Sequence, residues 1–450
     1  MKTKLTAKEY IVLASMLFGM FFGAGNLIFP VSMGQQAGAN LWPAIVGFCL
    51  TGVGIPLLGI AAMGISRSEG LFDMCKRVGK PYAYFFTCLL YLAIGPLFAI
   101  PRTATVSFSV GIQPMLKGDN TALVLCIFSA VFFAIVLFFS LRPSGIMTWI
   151  GKILNPLFLV VLAILTVTAL VNPMGGLSAG APTGNYVEMS FFQGFLEGYN
   201  TLDALASLAF GIVLINSIRR LGVTEPKAIS GSTLRSGVLS VLLMAAIYCI
   251  LAVLGAQSTA VLGISADGGA ALYGIGSHYF GTFGGILLGV IVTVACLKTA
   301  IGLVTSCATA FVDLFPNSLS YKAYAVLFSL FSFGIANFGL SRMIELSLPM
   351  LMFLYPLTIT LILLCLFGHL FDYDRRVLVP VTVCTFIPAV FDFINTLPAR
   401  ANAVLFGDVV GRITRWLPLG SIGMSWVVPA CVGFVIGMIL HICGKKSERT

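Results

Sequence analysis

Long runs of apolar residues, separated by short polar connections, dominate this chain. Runs long enough to cross roughly 30 Å of hydrocarbon occur about twelve times, and each predicts a membrane-spanning helix. The predicted spans are residues 8–32, 40–65, 82–111, 119–141, 149–172, 193–217, 235–257, 282–312, 321–340, 342–368, 376–397 and 421–443. The connections leave no room for a soluble domain. We therefore expect an all-α integral membrane protein that forms one transmembrane domain over residues 1–450.

Two of these spans are interrupted by glycine and polar residues. The first span contains Gly23–Asn26, and the sixth contains Glu197–Asp203. Irregular backbone at membrane depth is tolerated only where it is buried in protein or lines a cavity. The breaks lie five spans apart, an odd offset, so the halves 8–172 and 193–368 would have opposite orientations. Broken helices in inverted halves indicate a ligand site near the bilayer midplane, although glycines also serve ordinary helix packing.

Composition and charge narrow the class of protein. Hydrophobic residues make up 58% of the chain and charged residues only 9%, which is typical of a polytopic membrane protein. The formal net charge of +10 could indicate nucleic-acid binding. However, most basic residues lie in connections that an internal N-terminus places on the inner side, such as 67–80 and 219–235. This bias predicts that both termini are cytoplasmic. Scattered cysteines and distant histidines give little support to a metal site.

The residues within the two breaks are the candidates for ligand binding. Unwinding frees backbone amides and carbonyls, and the polar side chains of the sixth span are too costly to face lipid. We predict that the substrate contacts Gly23, Ala24, Gly25, Asn26, Tyr199, Asn200, Thr201 and Asp203. Tyr199 would supply a wall, and Asp203 could attract a cation or an ammonium group. A structural ion pair remains the alternative for Asp203.

Two cations lie deep within predicted spans. Lys298 in the eighth span is too deep to reach either interface comfortably, so it should face protein or water beside Thr299. Arg102 in the third span is a possible gate residue or could help position a substrate carboxylate. A helix-packing ion pair explains Arg102 equally well. The outer connections 173–192, 258–281 and 398–420 could cap a vestibule or be plain surface loops.

Three motifs in order, Gly23–Pro30, Gly95–Phe108 and Gly198–Ala206, closely resemble those of bacterial branched-chain amino acid:cation symporters of the BrnQ type. The resemblance extends through essentially the whole chain. It implies uptake of leucine, isoleucine and valine, coupled to inward flow of Na⁺ across the bacterial inner membrane. It also implies the five-plus-five inverted-repeat fold with discontinuous first and sixth helices, followed here by two additional helices at about 376–443.

The resemblance also implies two cation sites. The first would comprise the Phe21 carbonyl, Asn26 and Thr201, and the second the carbonyls of Gly19, Phe22 and Ala295 with position 298 and Thr299. This chain departs from the family pattern at Lys298, where a threonine is expected, and at Ser109, where an acid is expected. We therefore hypothesise that Lys298 replaces the second sodium ion or stalls the cycle. A salt bridge from Lys298 to Asp203 that leaves the ion site intact is the alternative.

Together these observations predict a secondary transporter that works by alternating access. Its partners would be a small-molecule substrate and the bilayer, with no nucleic acid, no obligatory protein partner and no transition metal. A proton-coupled or sodium-independent permease for small neutral amino acids is the alternative that Lys298 favours. An intramembrane enzyme would need paired acids, an activated nucleophile or a metal cluster, and the sequence offers none. A passive channel would not accumulate its solute against a gradient.

Overall fold

A computed structural model of the protein describes residues 5–116, 120–142, 146–405 and 407–447. Within these ranges the chain is helical, with short turns between helices and no strand. The two chain ends, which the charge bias places in the cytoplasm, lie outside the described residues.

The helices follow the predicted spans closely. In chain order they are α1 Ala7–Phe21, α2 Ala24–Ala37, α3 Leu41–Cys49, α4 Ile55–Ser66, α5 Leu71–Lys76, α6 Lys80–Leu92, α7 Ala99–Gly111, α8 Thr121–Ser140, α9 Ile146–Val171, α10 Ser190–Glu197, α11 Asp203–Arg220, α12 Pro226–Leu262, α13 Gly268–Leu314, α14 Tyr321–Ala336, α15 Leu340–Leu366, α16 Arg375–Asn395, α17 Ala399–Val404, α18 Gly407–Trp416 and α19 Val427–Ser447. Of the described helical segments, 8 are long and apolar enough to cross a membrane, or 9 when α10 and α11 count as one bent span. The count of twelve stays a prediction.

The first span is broken where the glycine motif predicts. Helix α1 begins with a capping box, in which Thr6 and Glu9 each bond the backbone of the other, and it ends at Phe21. Phe22 and Gly23 have extended backbone, and α2 resumes at Ala24. The break therefore leaves the N-terminal amides of α2 and the last carbonyls of α1 inside the protein, where polar groups need partners.

The sixth span is also broken at its predicted position. Helix α10 continues into a single 3₁₀ turn, Gly198–Thr201, and α11 begins at Asp203 with a bend of 45° between the two axes. Leu202 joins them in the left-handed region, with φ of 64°. A left-handed backbone costs a non-glycine residue roughly 1–2 kcal/mol. The burial of Leu202 in the core holds it there.

The two broken spans pack in a reciprocal way. Both α1 and α2 pack along α12, whereas α10 packs along α3 and α11 along α4. The helices approach closely because glycines lie at the crossings: a Cβ on Gly34 would lie 2.8 Å from the carbonyl carbon of Ala252, and one on Gly194 would lie 2.8 Å from Cα of Ala44. This reciprocity supports the predicted inverted repeat, whose exact five-plus-five form stays a prediction.

Some segments differ from the sequence-based expectation. The third span, predicted to be continuous over 82–111, is interrupted at Gly95 (φ −103°, ψ −124°), next to Pro96, which has no amide hydrogen to donate. The connection 258–281 contains the first arm of α13, because Asp267 caps that helix and Gly281, with φ of 63°, kinks it. The connection 398–420 likewise contains α17 and α18. The two additional C-terminal helices are α16 and α19, which pack against each other and, through α16, against α15.

Candidate functional site

Both backbone breaks open onto one central cavity. Its volume is about 40 Å³, and four spans contribute to its walls. The lining includes Phe21, Gly23, Ala24, Gly25 and Asn26 from the first span, Arg102 and Thr103 from the third, Thr201 and Asp203 from the sixth, and Thr299 from the eighth. Residues far apart in the sequence thus meet where the helices are discontinuous.

A buried hydrogen-bonded triangle joins the two breaks directly. The Asn26 side-chain amide donates to Asp203 Oδ1 at 3.0 Å and Oδ2 at 2.8 Å, and it also bonds the Tyr248 hydroxyl. The Tyr248 hydroxyl donates to Asp203 Oδ2 at 2.6 Å. Asn26, Asp203 and Tyr248 are 2%, 1% and 1% exposed. A carboxylate this deeply buried requires such donors, because an unpaired charge would be strongly unfavourable.

Asn26 also stabilises the break in its own span. Its side-chain oxygen accepts a hydrogen bond from the Gly23 amide at 3.0 Å. On the other side of the triangle, Thr201 Oγ1 donates to the Gly198 carbonyl at 2.9 Å and accepts from the Asp203 amide at 3.4 Å. One asparagine therefore satisfies the unwound backbone of the first span and holds the carboxylate of the sixth.

The guanidinium group of Arg102 lies against both breaks. Its Nη1 donates to the Asn200 carbonyl at 2.6 Å, and its Cζ lies 5.1 Å from the centre of the Phe29 ring. Gly25 leaves the space that the guanidinium occupies, since a Cβ there would lie 3.1 Å from Arg102 Nη2. The backbone carbonyl freed by the 3₁₀ turn is thus bonded by a cation from the third span.

A larger cavity of about 550 Å³ lies on the other side of Arg102. Its lining includes Phe29 and Asn200, whereas Arg102 and Gly25 line the central cavity. The contact of Arg102 with Phe29 and Asn200 therefore lies between the two cavities. We call the larger one the outer cavity, because its walls include residues of the predicted outer connections 173–192 and 258–281, and residues that flank 398–420.

The remaining predicted site residues lie outside the lining of the central cavity. Asn200 faces the outer cavity, and Tyr199 stacks on Tyr355 with ring centres 4.0 Å apart. Phe22 stacks on Phe18, and Gly19 lies in the last turn of α1. These placements put Tyr199 one layer behind the cavity wall.

The predicted second cation site is only partly assembled around the cavity. Thr299 contacts the first break, since a Cβ on Gly23 would lie 3.2 Å from its Cγ2. The Thr299 hydroxyl donates to the Ala295 carbonyl at 3.1 Å, within its own helix. Lys298 is half-buried beside Thr299, but it does not join Thr299 in the described lining of the cavity. The roles of these residues stay predictions.

Sequence reasoning missed Tyr248, Tyr355 and Phe29. Tyr248 and Tyr355 lie within predicted spans, and a tyrosine at mid-span was the available signal, because its hydroxyl needs a polar partner there.

Ser109, noted as a departure from the family pattern, donates to Asp267 Oδ1 at 2.9 Å, and Asp267 lines the outer cavity. Among the described residues, no group of histidine, cysteine, aspartate or glutamate side chains could hold a metal ion.

Comparisons with known proteins agree on one family and one fold. The sequence model of the branched-chain amino acid transport protein family matches residues 6–443. The branched-chain amino acid permease BrnQ of Lactobacillus delbrueckii subsp. lactis is 51% identical over 447 residues, covering 99% of this chain and 100% of the relative. The BrnQ permease of Bacillus subtilis (strain 168) is 41% identical over 449 residues, covering 100% of both chains.

Two solved structures share the fold at low sequence identity. Inward-facing Mhp1 has a TM-score of 0.58 and 15% identity, covering 96% of this chain and 90% of that one. MhsT in complex with L-phenylalanine has a TM-score of 0.56 and 15% identity, covering 96% of this chain and 99% of that one. The predicted likeness to the broken-helix transporters is confirmed at the level of the fold.

Proposed function

Because the chain belongs to the branched-chain amino acid transport protein family, it is a transporter and not an enzyme, and we propose that it couples uptake of leucine, isoleucine and valine to Na⁺. The proposal places it in the bacterial inner membrane with both termini in the cytoplasm, working by alternating access. The observation that carries it is the meeting of two backbone breaks at a cavity whose lining includes Asn26, Thr201 and Asp203, with a second cavity beyond Arg102.

The central cavity suits the polar end of an amino acid. The amides at the start of α2 provide donors for a carboxylate, as helix N-termini generally do. Its volume of about 40 Å³ has room for a few waters, each of which needs about 10–15 Å³ of such space. A branched aliphatic amino acid is larger, so the central cavity must widen before one can bind. Binding would require Arg102 to move away from Phe29 and Asn200.

The donor set at the first proposed cation site fits a hard monovalent ion. Phe21, Asn26, Thr201 and Asp203 line the same cavity, and all carry oxygen atoms. Exposed carbonyls of broken helices commonly coordinate Na⁺ in transporters. A bound cation would also balance the charge of the buried Asp203 carboxylate. Coupling further requires that the ion bind the substrate-receptive state more tightly than the other state.

The second proposed site fits Na⁺ less well. Lys298 brings an ammonium group to a position where the resemblance leads us to expect a threonine, although the Thr299 hydroxyl, which donates to the Ala295 carbonyl, keeps oxygen lone pairs for an ion. This arrangement supports the hypothesis that Lys298 takes the place of an ion there. A proton-coupled or sodium-independent cycle is the second candidate function on the same observation.

Uptake of labelled leucine into proteoliposomes tests the proposal. An inward Na⁺ gradient should drive accumulation above the external concentration, and unlabelled isoleucine and valine should compete. Accumulation driven by a pH gradient without Na⁺ would select the proton-coupled candidate. Equilibration without accumulation under either gradient would contradict secondary active transport.

We call the contact of Arg102 with Phe29 and Asn200 the partition between the two cavities. A matched pair of arginine variants tests it. Arg102 and Arg142 both lie over phenylalanine rings, but Arg142 is exposed and stacks on Phe138. Lysine keeps the charge and loses the planar fork. Arg102→Lys should shift the balance toward the open contact at least about tenfold, from the loss of a charged hydrogen bond, and the resulting leak should reduce leucine accumulation, whereas Arg142→Lys should accumulate leucine normally. Equal activity of the two variants would contradict a role for the partition.

A further inference from the structure

The outer cavity has a one-sided charge distribution. Among the described residues, its lining carries the carboxylates of Glu197, Asp267 and Glu345 and no lysine, arginine or histidine. A cleft lined by one sign of charge between low-dielectric walls raises the local concentration of oppositely charged groups. The three carboxylates outweigh the guanidinium of Arg102, which lies beside Asn200, so the cavity should attract small cations and ammonium groups and disfavour anions.

The three carboxylates have different surroundings. Asp267 is already used by the fold, because its Oδ1 accepts from the Ser109 hydroxyl and from the amides of Gly269 and Ala270, each at 2.9 Å. Glu345 is exposed. Glu197 is half-buried at the end of α10, one 3₁₀ turn before the carbonyl that Arg102 bonds. Of the three, Glu197 is thus the carboxylate that lies in the same broken span as the carbonyl bonded by Arg102.

Asn200 provides a second acceptor at the same place. Its side chain is 4% exposed and lines the outer cavity, yet its Oδ1 has no hydrogen-bond partner among the described residues. Its amide group lies beside Glu197. Leaving a buried carbonyl oxygen unpaired is unfavourable. A ligand that donates hydrogen bonds or coordinates oxygen would remove that cost.

We propose that Glu197 and Asn200 Oδ1 form a binding site for a small monovalent cationic group at the inner end of the outer cavity. The group is the ammonium of an aliphatic amino acid or the coupling cation, since both are recognised by a carboxylate and an amide oxygen. The neighbouring walls of Leu196, Phe29 and Met352 would accept an aliphatic side chain. The site lies before the partition, so it would hold the ligand until Arg102 moves. This inference rests on the proposed function.

Equilibrium binding of labelled leucine to the purified full-length protein tests the site. Glu197→Gln removes the charge and keeps the shape, and Glu188→Gln is the matched control, because Glu188 is exposed on the preceding segment and outside the described cavity lining. Losing a charged hydrogen-bond partner should raise either the leucine Kd or the half-saturating Na⁺ concentration at least about tenfold. Glu188→Gln should match the unaltered protein.

Two titrations distinguish the sources of the cationic group. If the site takes the substrate ammonium, Glu197→Gln raises the leucine Kd at saturating Na⁺ and leaves the half-saturating Na⁺ concentration unchanged. If it takes the coupling ion, the half-saturating Na⁺ concentration rises and saturating Na⁺ restores the leucine Kd. Should Glu197→Gln not fold, Asn200→Ala carries the same test, because it retains the backbone carbonyl that Arg102 bonds.

The outcomes also separate this inference from the proposed function. Suppose that the unaltered protein and Glu188→Gln bind leucine, and that Glu197→Gln and Asn200→Ala change neither the leucine Kd nor the half-saturating Na⁺ concentration. The proposed site is then overturned and the proposed function stands. If the unaltered protein binds no branched-chain amino acid under any Na⁺ concentration, both are overturned.

Discussion

Removal of the Tyr248 hydroxyl is the sharpest test of the link between the two breaks. Tyr248→Phe deletes the 2.6 Å hydrogen bond to Asp203 Oδ2 and the contact with the Asn26 amide. The ring should stay in place, since it packs edge-to-face on Phe48 at 5.2 Å. A hydrogen bond to a charged group contributes about 1.5–3 kcal/mol. We expect the free energy of unfolding of the purified protein in detergent to fall by that amount.

Tyr355 offers a matched control within the same protein. It is 0% exposed and, like Tyr248, lies deep in a span. Its hydroxyl has no partner of hydrogen-bonding geometry among the described residues, although it points toward Thr201. Removing an unsatisfied buried hydroxyl is nearly neutral or stabilising. Tyr355→Phe should therefore change the free energy of unfolding by less than about 0.5 kcal/mol.

A double-mutant cycle then separates the hydrogen bond from general effects on packing. Tyr248→Phe combined with Asp203→Ala, which leaves no side-chain acceptor at position 203, should show a coupling energy of about 0.5–3 kcal/mol, as expected for directly bonded residues. The combination of Tyr355→Phe with Asp203→Ala should show a smaller coupling energy, because the described residues contain no hydrogen bond between these two side chains. Equal destabilisation by the two tyrosine variants, or additivity of Tyr248→Phe with Asp203→Ala, would refute the assignment of this hydrogen bond.

Three further changes test other parts of the structure. Lys298→Thr should increase the dependence of leucine uptake on Na⁺ if the lysine replaces an ion, and identical dependence in both proteins would contradict that hypothesis. Gly34→Val should abolish stable expression, because the valine side chain would overlap the backbone of the crossing helix. Gly231→Ala is the control, since nothing lies within 4 Å of the new Cβ, and it should be neutral or stabilise the protein by up to about 1 kcal/mol. Size-exclusion profiles and unfolding curves measure both variants. The hydrogen bond from His441, at 2.7 Å, lowers the pKa of Asp374. A carboxyl group with a lowered pKa stabilises the folded protein above the unfolded pKa of about 4, and this contribution is lost as the pH falls through the folded pKa. His441→Phe should therefore make the free energy of unfolding depend less steeply on pH in the acid range.

The positions of the two breaks could be predicted because their cause is local. Glycine, asparagine and proline act on the backbone where they stand, so Gly23–Asn26 and Gly198–Asp203 indicated interruption without knowledge of neighbouring helices. The apolar runs likewise predicted the helices, since burial in lipid needs only length and composition. The helical arm before Gly281 escaped prediction, because glycine, polar and aromatic residues interrupt the apolar pattern over residues 268–280, and the predicted span therefore began only at residue 282.

The pairings within the site could not be predicted in the same way. Asn26 and Asp203 are 177 positions apart, and Asn26 and Tyr248 are 222 apart, so no spacing pattern connects them. Sequence reasoning offered Asn26 as a ligand for a cation or a carboxylate. In the structure its oxygen accepts from Gly23 and its amide holds Asp203. The residue type indicated polarity, but the fold decides which atoms meet.

That pairing has a consequence for how ion binding could control the partition. Asp203 is held in place by hydrogen bonds from Asn26 and Tyr248. Thr201, two residues earlier, lines the same cavity. Leu202 joins Thr201 to Asp203 and has left-handed backbone. A cation drawn to Asp203 and Thr201 would pull on this strained turn. The same turn carries the Asn200 carbonyl that Arg102 bonds. If an ion binds as proposed, its binding and the release of Arg102 would be connected through about three residues of backbone. If that binding relieved roughly 1–2 kcal/mol at Leu202, the balance between closed and open forms would shift about five- to thirtyfold.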